Sequence, residues 1–167
     1  MTDRPAIFVS ATSGEFRSFR LALKRQLERK GVLMIVQDEF PTDYGEVREM
    51  LASRIRESDA VICLVGFGYG AEPQQRPADG RRRSYTQLEY DLACELGKAL
   101  YVFLSDEQHR PCDGVPNEDT ERRQLQLDHR ALLSGGDQLW HSFADHQQLR
   151  QLVAKIRVSS ALPPKLS

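Results

Sequence analysis

A doubly wound α/β domain, a parallel sheet with helices on both faces, is the fold class that the sequence predicts. Three observations predict it. Short continuous apolar runs recur at Ala6 to Val9, Val32 to Val36, Ala60 to Val65 and Ala99 to Leu104. Each gives way to a polar loop and then to apolar residues spaced three or four apart, the period of a helix that buries one side. Strands hidden from water on both faces need no polar alternation, so runs of this kind between amphipathic helices belong to a sheet covered on both sides. The chain has 167 residues, 40% of them apolar, enough for one ordinary core and too few for two.

Taken in order, Ala6 to Val9 is the first strand, and Ser10-Ala11-Thr12-Ser13-Gly14 the loop that leads to a helix striped by Phe16, Phe19, Leu23 and Leu27. Val32 to Val36 is the second strand, a five-residue buried run. Gln37 to Gly45, with Pro41, is a loop, and Val47, Met50, Leu51 and Ile55 share one helical face. Ala60 to Val65 is the third strand. A long glycine- and proline-bearing segment from Gly66 to Arg83 separates it from a helix at about Tyr85 to Leu96, which Gly97 terminates. Ser84 and Gln87 stand at capping-box spacing and fix the start of that helix. Ala99 to Leu104 is the fourth strand, residues 118 to 133 a helix, Gln138 to Phe143 a short last strand, and Leu149, Leu152, Val153 and Ile156 the stripe of a closing helix. The expected arrangement is flavodoxin-like, five parallel strands in the order 2-1-3-4-5. The domain spans residues 1–158, and 159–167 read as a linker or tail toward a further domain, because Ser159-Ser160-Ala161-Leu162-Pro163-Pro164-Lys165 has linker composition.

Charge narrows the function classes. With 23 basic and 24 acidic side chains the net charge is -1, which gives no global electrostatic case for nucleic acid. Neither six-residue apolar run approaches the roughly 18 to 20 residues of a membrane span. Three cysteines, Cys63, Cys94 and Cys112, make an odd and widely spaced set rather than a disulfide framework. The N-terminal residues carry an acid and a proline before a four-residue apolar run, too short for a signal-peptide core. A cytoplasmic protein is the expectation. His109, His129, His141 and His146 lack metal-ligand spacing and no paired-cysteine motif occurs, so no metal is expected.

In an open parallel sheet, ligands bind beyond the carboxyl ends of the strands where strand order reverses. Here that crevice lies between Ser10 to Gly14 and Gly66 to Ser84. The first loop is rich in hydroxyls and meets a helix N-terminus, so it can hold a phosphate or ribose; equally, it can be a solvent-facing cap. Along the third helix, Tyr85, Leu88, Leu92 and Leu96 form the apolar stripe, and Glu89 falls within its arc. Its carboxylate therefore points toward the sheet, one turn from Tyr85, whereas Asp91 and Glu95 look solvated. Such an acid is either catalytic or a structural partner of an arginine.

Three segments resemble the TIR superfamily, and more closely the TIR-like domains at the front of large bacterial signalling and defence proteins. They are Ile7-Phe8-Val9-Ser10 with its polar turn and long helix, Gly66-Phe67-Gly68-Tyr69-Gly70 after the third strand, and Ser84-Tyr85-Thr86-Gln87-Leu88-Glu89-Tyr90 before the strand Leu100 to Leu104. Trp140-His141-Ser142-Phe143 and the last helix also fit, so the similarity spans nearly the whole chain. The resemblance implies cleavage of the nicotinamide–ribose bond of NAD+, with Glu89 as the catalytic glutamate and Tyr85 at the aromatic position four residues before it, usually tryptophan in that family. NAD+ is then a substrate and no cofactor is needed. The resemblance places Ser10 and Thr12 against the ribose or diphosphate. Asp38, Phe40 and Tyr44 lie on a mobile loop that closes over the nucleotide and mediates self-association, and Tyr69 and Ser84 complete the substrate-binding set. Partners implied are NAD+, further copies of the domain and a covalently attached sensor domain, without membrane or direct nucleic-acid contact. The chemistry suits a single carboxylate, because the nicotinamide of NAD+ is already cationic and leaves as a neutral molecule without a general acid.

Two other functions fit the same pattern: a non-enzymatic TIR-type interaction module, and a nucleoside deoxyribosyltransferase-like enzyme. The glycines of Gly66 to Gly70 are read as a tight turn, since they lack the spacing and lysine of phosphate loops. Arg81-Arg82-Arg83 is read as a solvated run, and Cys63 and Cys94 as packing residues.

Overall fold

The computed structural model describes residues 4–114 and 116–158. It contains β1 (Ala6–Ser10), α1 (Arg17–Arg29), β2 (Leu33–Ile35), α2 (Tyr44–Arg56), β3 (Ala60–Val65), α3 (Tyr85–Glu95), β4 (Ala99–Ser105), α4 (Thr120–Gly135), β5 (Trp140–Phe143) and α5 (His146–Ala154). The strands form one five-stranded sheet in the order β2-β1-β3-β4-β5, every pair parallel. This is the flavodoxin-like arrangement expected from the sequence. The segment expected to be a linker or tail, 159–167, lies outside the described residues.

Side-chain alternation along the central strands divides the core in two. Ile7, Val9, Ile62, Leu64 and Phe103 pack against Phe19, Leu23 and Leu27 of α1 and Leu149 and Val153 of α5. Phe8, Val61, Cys63, Val65, Val102 and Leu104 face Val47, Leu51 and Ile55 of α2, Leu88 and Leu92 of α3 and Leu133 of α4. All six residues of β3 are buried, as a strand covered on both faces requires. By the same alternation Ser10 shares its face with Phe8 and meets α3.

The edges depart from expectation. Instead of a five-residue buried run, β2 has three residues, with Leu33 exposed and Met34 and Ile35 half-buried. β5 starts at Trp140 rather than Gln138, and of its residues only Phe143 is buried. Both are edge strands with a neighbour on one side only, and apolar composition alone does not report that difference. Caps set the helix starts. Asp43 accepts from the Glu46 N–H and brings α2 forward to Tyr44, shortening the expected loop; Asp119 accepts from the Arg122 N–H and starts α4 at Thr120, later than the expected 118. Ser84 and Gln87 form the expected capping box, and Gly97 follows α3 with a φ of +66°, a conformation that favours glycine.

A cleft at the carboxyl ends of the strands

At the strand-order reversal between β1 and β3, α1, the β2–α2 loop, the loop after β3 and α3 enclose a cleft of about 210 Å³. Glu89 lies in its wall, with only 3% of its surface exposed. Burial drives its pKa up to about 8; the Ser10 hydroxyl and Arg20 oppose this rise and Asp38 adds to it. Glu89 has no ion-pair partner among the described residues. The arginine that a structural role would require is instead paired elsewhere, Arg20 Nη2 donating to Asp38 Oδ2 at 2.9 Å.

Beside Glu89, Tyr85 and Phe40 form a flat aromatic wall, their ring centroids 3.7 Å apart and planes within 8°. Both line the cleft. A planar base can extend that stack, so one side of the cleft offers a ring surface and another a poorly solvated carboxyl.

The remaining expected contacts are distributed differently. Asp38 and Thr12 line the cleft, with the Thr12 hydroxyl donating to Glu15 Oε1 at 3.2 Å. Tyr69 also lines it but is fully buried, its hydroxyl donating to Glu72 at 3.1 Å. Ser10 does not line the cleft; it is buried, its hydroxyl donating to the Thr86 carbonyl at 3.4 Å. Ser84 and Tyr44 do not line the cleft. The Ser84 hydroxyl accepts the Gln87 N–H as the cap of α3, and the half-buried Tyr44 packs against the core at the start of α2 while its backbone N–H is donated to Gln75.

Sequence reading missed Arg20 and Glu15. The Gly66 to Gly70 segment is more than a turn: four successive N–H groups hold two carboxylates. Phe67 and Gly68 donate to Glu15 at 2.9 and 3.1 Å, and Tyr69 and Gly70 to Glu118 at 2.8 and 2.9 Å. A Cβ on Gly66 would collide with the Glu15 carboxylate, which is why glycine stands there. Burial raises the Glu15 pKa against these bonds. The arginine run is also not freely solvated. Arg82 pairs with Glu72 at 2.7 Å and Glu121 at 2.8 Å, and Arg83 with Asp91 at 2.7 Å, fastening the long loop to the helices beside the cleft. Glu95 is exposed, as expected, and pairs at the surface with Arg48, while Asp91 is half-buried in its pair with Arg83. No cluster of metal-ligating side chains occurs among the described residues, and no helix there is long and apolar enough to cross a membrane.

With this geometry in place, one family model matches residues 6–157, nearly the whole chain; it is described as a domain of unknown function, DUF4062. The chain belongs to the DUF4062 family. No curated protein matches it. Among solved structures, this DUF4062 domain resembles the CMP N-glycosidase BcmB of Clostridium botulinum, with a TM-score of 0.53 at 14% identity over 89% of this chain and 98% of that one. At that identity the likeness shows a shared fold. A GDP-L-fucose synthetase of Naegleria fowleri bound to NADP matches more distantly, with a TM-score of 0.37 at 13% identity over 85% of this chain and 50% of that one.

Proposed function

We propose that this DUF4062 domain is an N-glycosidase acting on a nucleotide, with NAD+ as its substrate and Glu89 as its catalytic carboxylate, and that it works as a TIR-like effector domain. One observation carries the reading: a buried carboxyl without an ion-pair partner among the described residues opens onto a cleft beside the stacked Tyr85 and Phe40 rings. The shared fold of a protein named as a CMP N-glycosidase supports it. In the reaction the C1′–N bond breaks and its electron pair returns to the pyridinium nitrogen, releasing neutral nicotinamide. Water adds to C1′ and gives up a proton, leaving ADP-ribose. Glu89 holds the ribose and stabilises the oxocarbenium-like transition state electrostatically. The aromatic pair fixes the departing ring and keeps bulk water from it.

Control by self-association and by an attached sensor domain belongs to the same reading, so the assay uses purified protein at high concentration. Nicotinamide release from NAD+ is followed for wild type and Glu89→Gln. The expected loss in kcat is at least about 100-fold, the scale of removing one transition-state electrostatic contact. Equal rates refute the assignment, and concentration-dependent assembly without turnover assigns the domain to interaction instead.

A second reading is favoured by the pKa of Glu89. A carboxyl pushed up to about 8 is mostly protonated at neutral pH, the state required of a general acid for a neutral base such as cytosine. Glu89 then gives its proton to the base as the C1′–N bond breaks and recovers one from the attacking water. Release of cytosine from CMP distinguishes the two.

A further inference from the structure

We infer that Arg20 is the phosphate-binding residue of the cleft, and that the cleft takes the nucleoside 5′-monophosphate portion of its substrate, Asp38 holding the guanidinium until the phosphate displaces it. This assignment rests on the glycosidase reading above and adds which part of the nucleotide the site recognises.

Charge in the cleft is sparse and unbalanced. Glu15, Asp38 and Glu89 are its acidic lining residues, and among the described residues Arg20 is the one lysine, arginine or histidine that lines it. The neighbouring backbone offers no substitute. The glycine-rich N–H groups of residues 67 to 70, which by type could cradle a phosphate, are already occupied by Glu15 and Glu118. Arg82 and Arg83 are committed to Glu72, Glu121 and Asp91. An entering phosphate therefore meets one cation.

Arg20 is built to receive it. Its side chain is 13% exposed, held along α1, while that of its partner Asp38 is 56% exposed on the β2–α2 loop. The fixed member of the pair is the cation and the accessible one the acid. Among the described residues one N–H···O contact joins them, Nη2 to Oδ2 at 2.9 Å, leaving the rest of a guanidinium's donors for a phosphate, which it matches bidentately. Size agrees. At about 210 Å³ the cleft is below the ~300–1,000 Å³ of pockets that enclose drug-sized ligands. It encloses the nicotinamide, ribose and proximal phosphate, and the adenosine half of NAD+ lies outside.

The test compares nicotinamide mononucleotide with nicotinamide riboside, which differ by the phosphate alone. The ratio of their kcat/KM values cancels general damage to the fold or to Glu89. Wild type should favour the mononucleotide at least tenfold, Arg20→Gln should bring the ratio toward one, and Arg20→Lys should restore part of it. A wild-type ratio near one, or a ratio that Arg20→Gln leaves unchanged, overturns the assignment. Calorimetric titration with ribose 5-phosphate and ribose runs in parallel and needs no turnover. Wild type should bind the phosphate ester at least tenfold more tightly than ribose and Arg20→Gln should lose that preference; equal binding of both by wild type, or a preference kept by Arg20→Gln, overturns it. If wild type cleaves neither nucleotide, riboside nor NAD+, the glycosidase reading fails by itself, and the titration alone decides Arg20.

Discussion

Replacing Glu89 with glutamine should stabilise the protein, and by an amount that grows with pH. The carboxyl is buried, and its pKa moves from 4.5 to about 8 on folding. At ~1.4 kcal/mol for each tenfold change in proton affinity, that difference corresponds to about 5 kcal/mol. The sign follows from a folded pKa above the unfolded one. Below pH 4.5 the group is protonated in both states, and its favourable contribution is fully present. As pH rises toward 8 the unfolded chain ionises first, and the contribution is lost. Above about 8 the folded state carries a buried carboxylate at full penalty. Glutamine keeps the shape and never ionises. Thermal unfolding of wild type and Glu89→Gln between pH 4.5 and 9 should therefore give curves that diverge as pH increases. For a domain of this size ~1 kcal/mol moves Tm by roughly 2–4 °C, so the gap should widen by about 10 °C or more. Parallel curves would show that the carboxyl is solvated, and with that the electrostatic reading of the cleft would fall.

Three further outcomes are expected. If Glu89 acts as a carboxylate, kcat/KM for NAD+ should climb with pH and level off above about 8, the value for the free enzyme; if it acts as an acid on CMP, kcat/KM should fall over the same range, and a flat profile contradicts both. Phe40→Ala removes half of the ring stack with Tyr85 and should raise KM for NAD+ about tenfold, the scale of one aromatic contact, measured by initial rates; unchanged kinetics would leave Phe40 a packing residue. Gly68→Ala places a methyl 2.7 Å from Pro116 Cγ and 2.9 Å from Glu15 Oε1, and chemical denaturation should show a loss of about 1–3 kcal/mol, with a neutral result indicating that the carboxylate clamp yields easily.

The parts of this molecule that could be read in the sequence are those governed by local rules. β3 is recognisable because a central parallel strand must be apolar at every position, and α3 because Ser84, Gln87 and Gly97 mark its ends by their own backbone chemistry. Glu89 could be placed toward the sheet by helical period alone. What the sequence conceals is pairing between distant segments. That Arg20 meets Asp38, or that Glu15 and Glu118 occupy the glycine-rich turn, depends on α1, the β2–α2 loop and the approach to α4 converging at one end of the sheet, and no spacing rule reports such a meeting. The arginine run misled for the same reason, since its acidic partners lie on other elements. Ser84 illustrates a different limit. One hydroxyl can cap a helix or touch a ligand, and the backbone N–H of Gln87 had the prior claim.

On the proposed reaction, the raised pKa of Glu89 and the positive charge of a pyridinium ring would work together. At neutral pH the raised pKa keeps the proton on Glu89, so no buried charge stands without an ion-pair partner among the described residues. A cation brought to about 4 Å at the effective dielectric of a protein site interacts with a carboxylate by roughly 4 kcal/mol, comparable to the ~5 kcal/mol by which burial holds the proton on. A pyridinium substrate can thus expel that proton on arrival and create the carboxylate that its own transition state requires, while the released proton goes to solvent through the open mouth. A neutral base has no such charge and leaves the acid protonated. For that reason, kcat and kcat/KM should differ in their pH dependence for a cationic substrate, the kcat profile lying to the acid side. With a neutral base the two profiles should coincide much more closely, so the comparison distinguishes a cationic from a neutral leaving group.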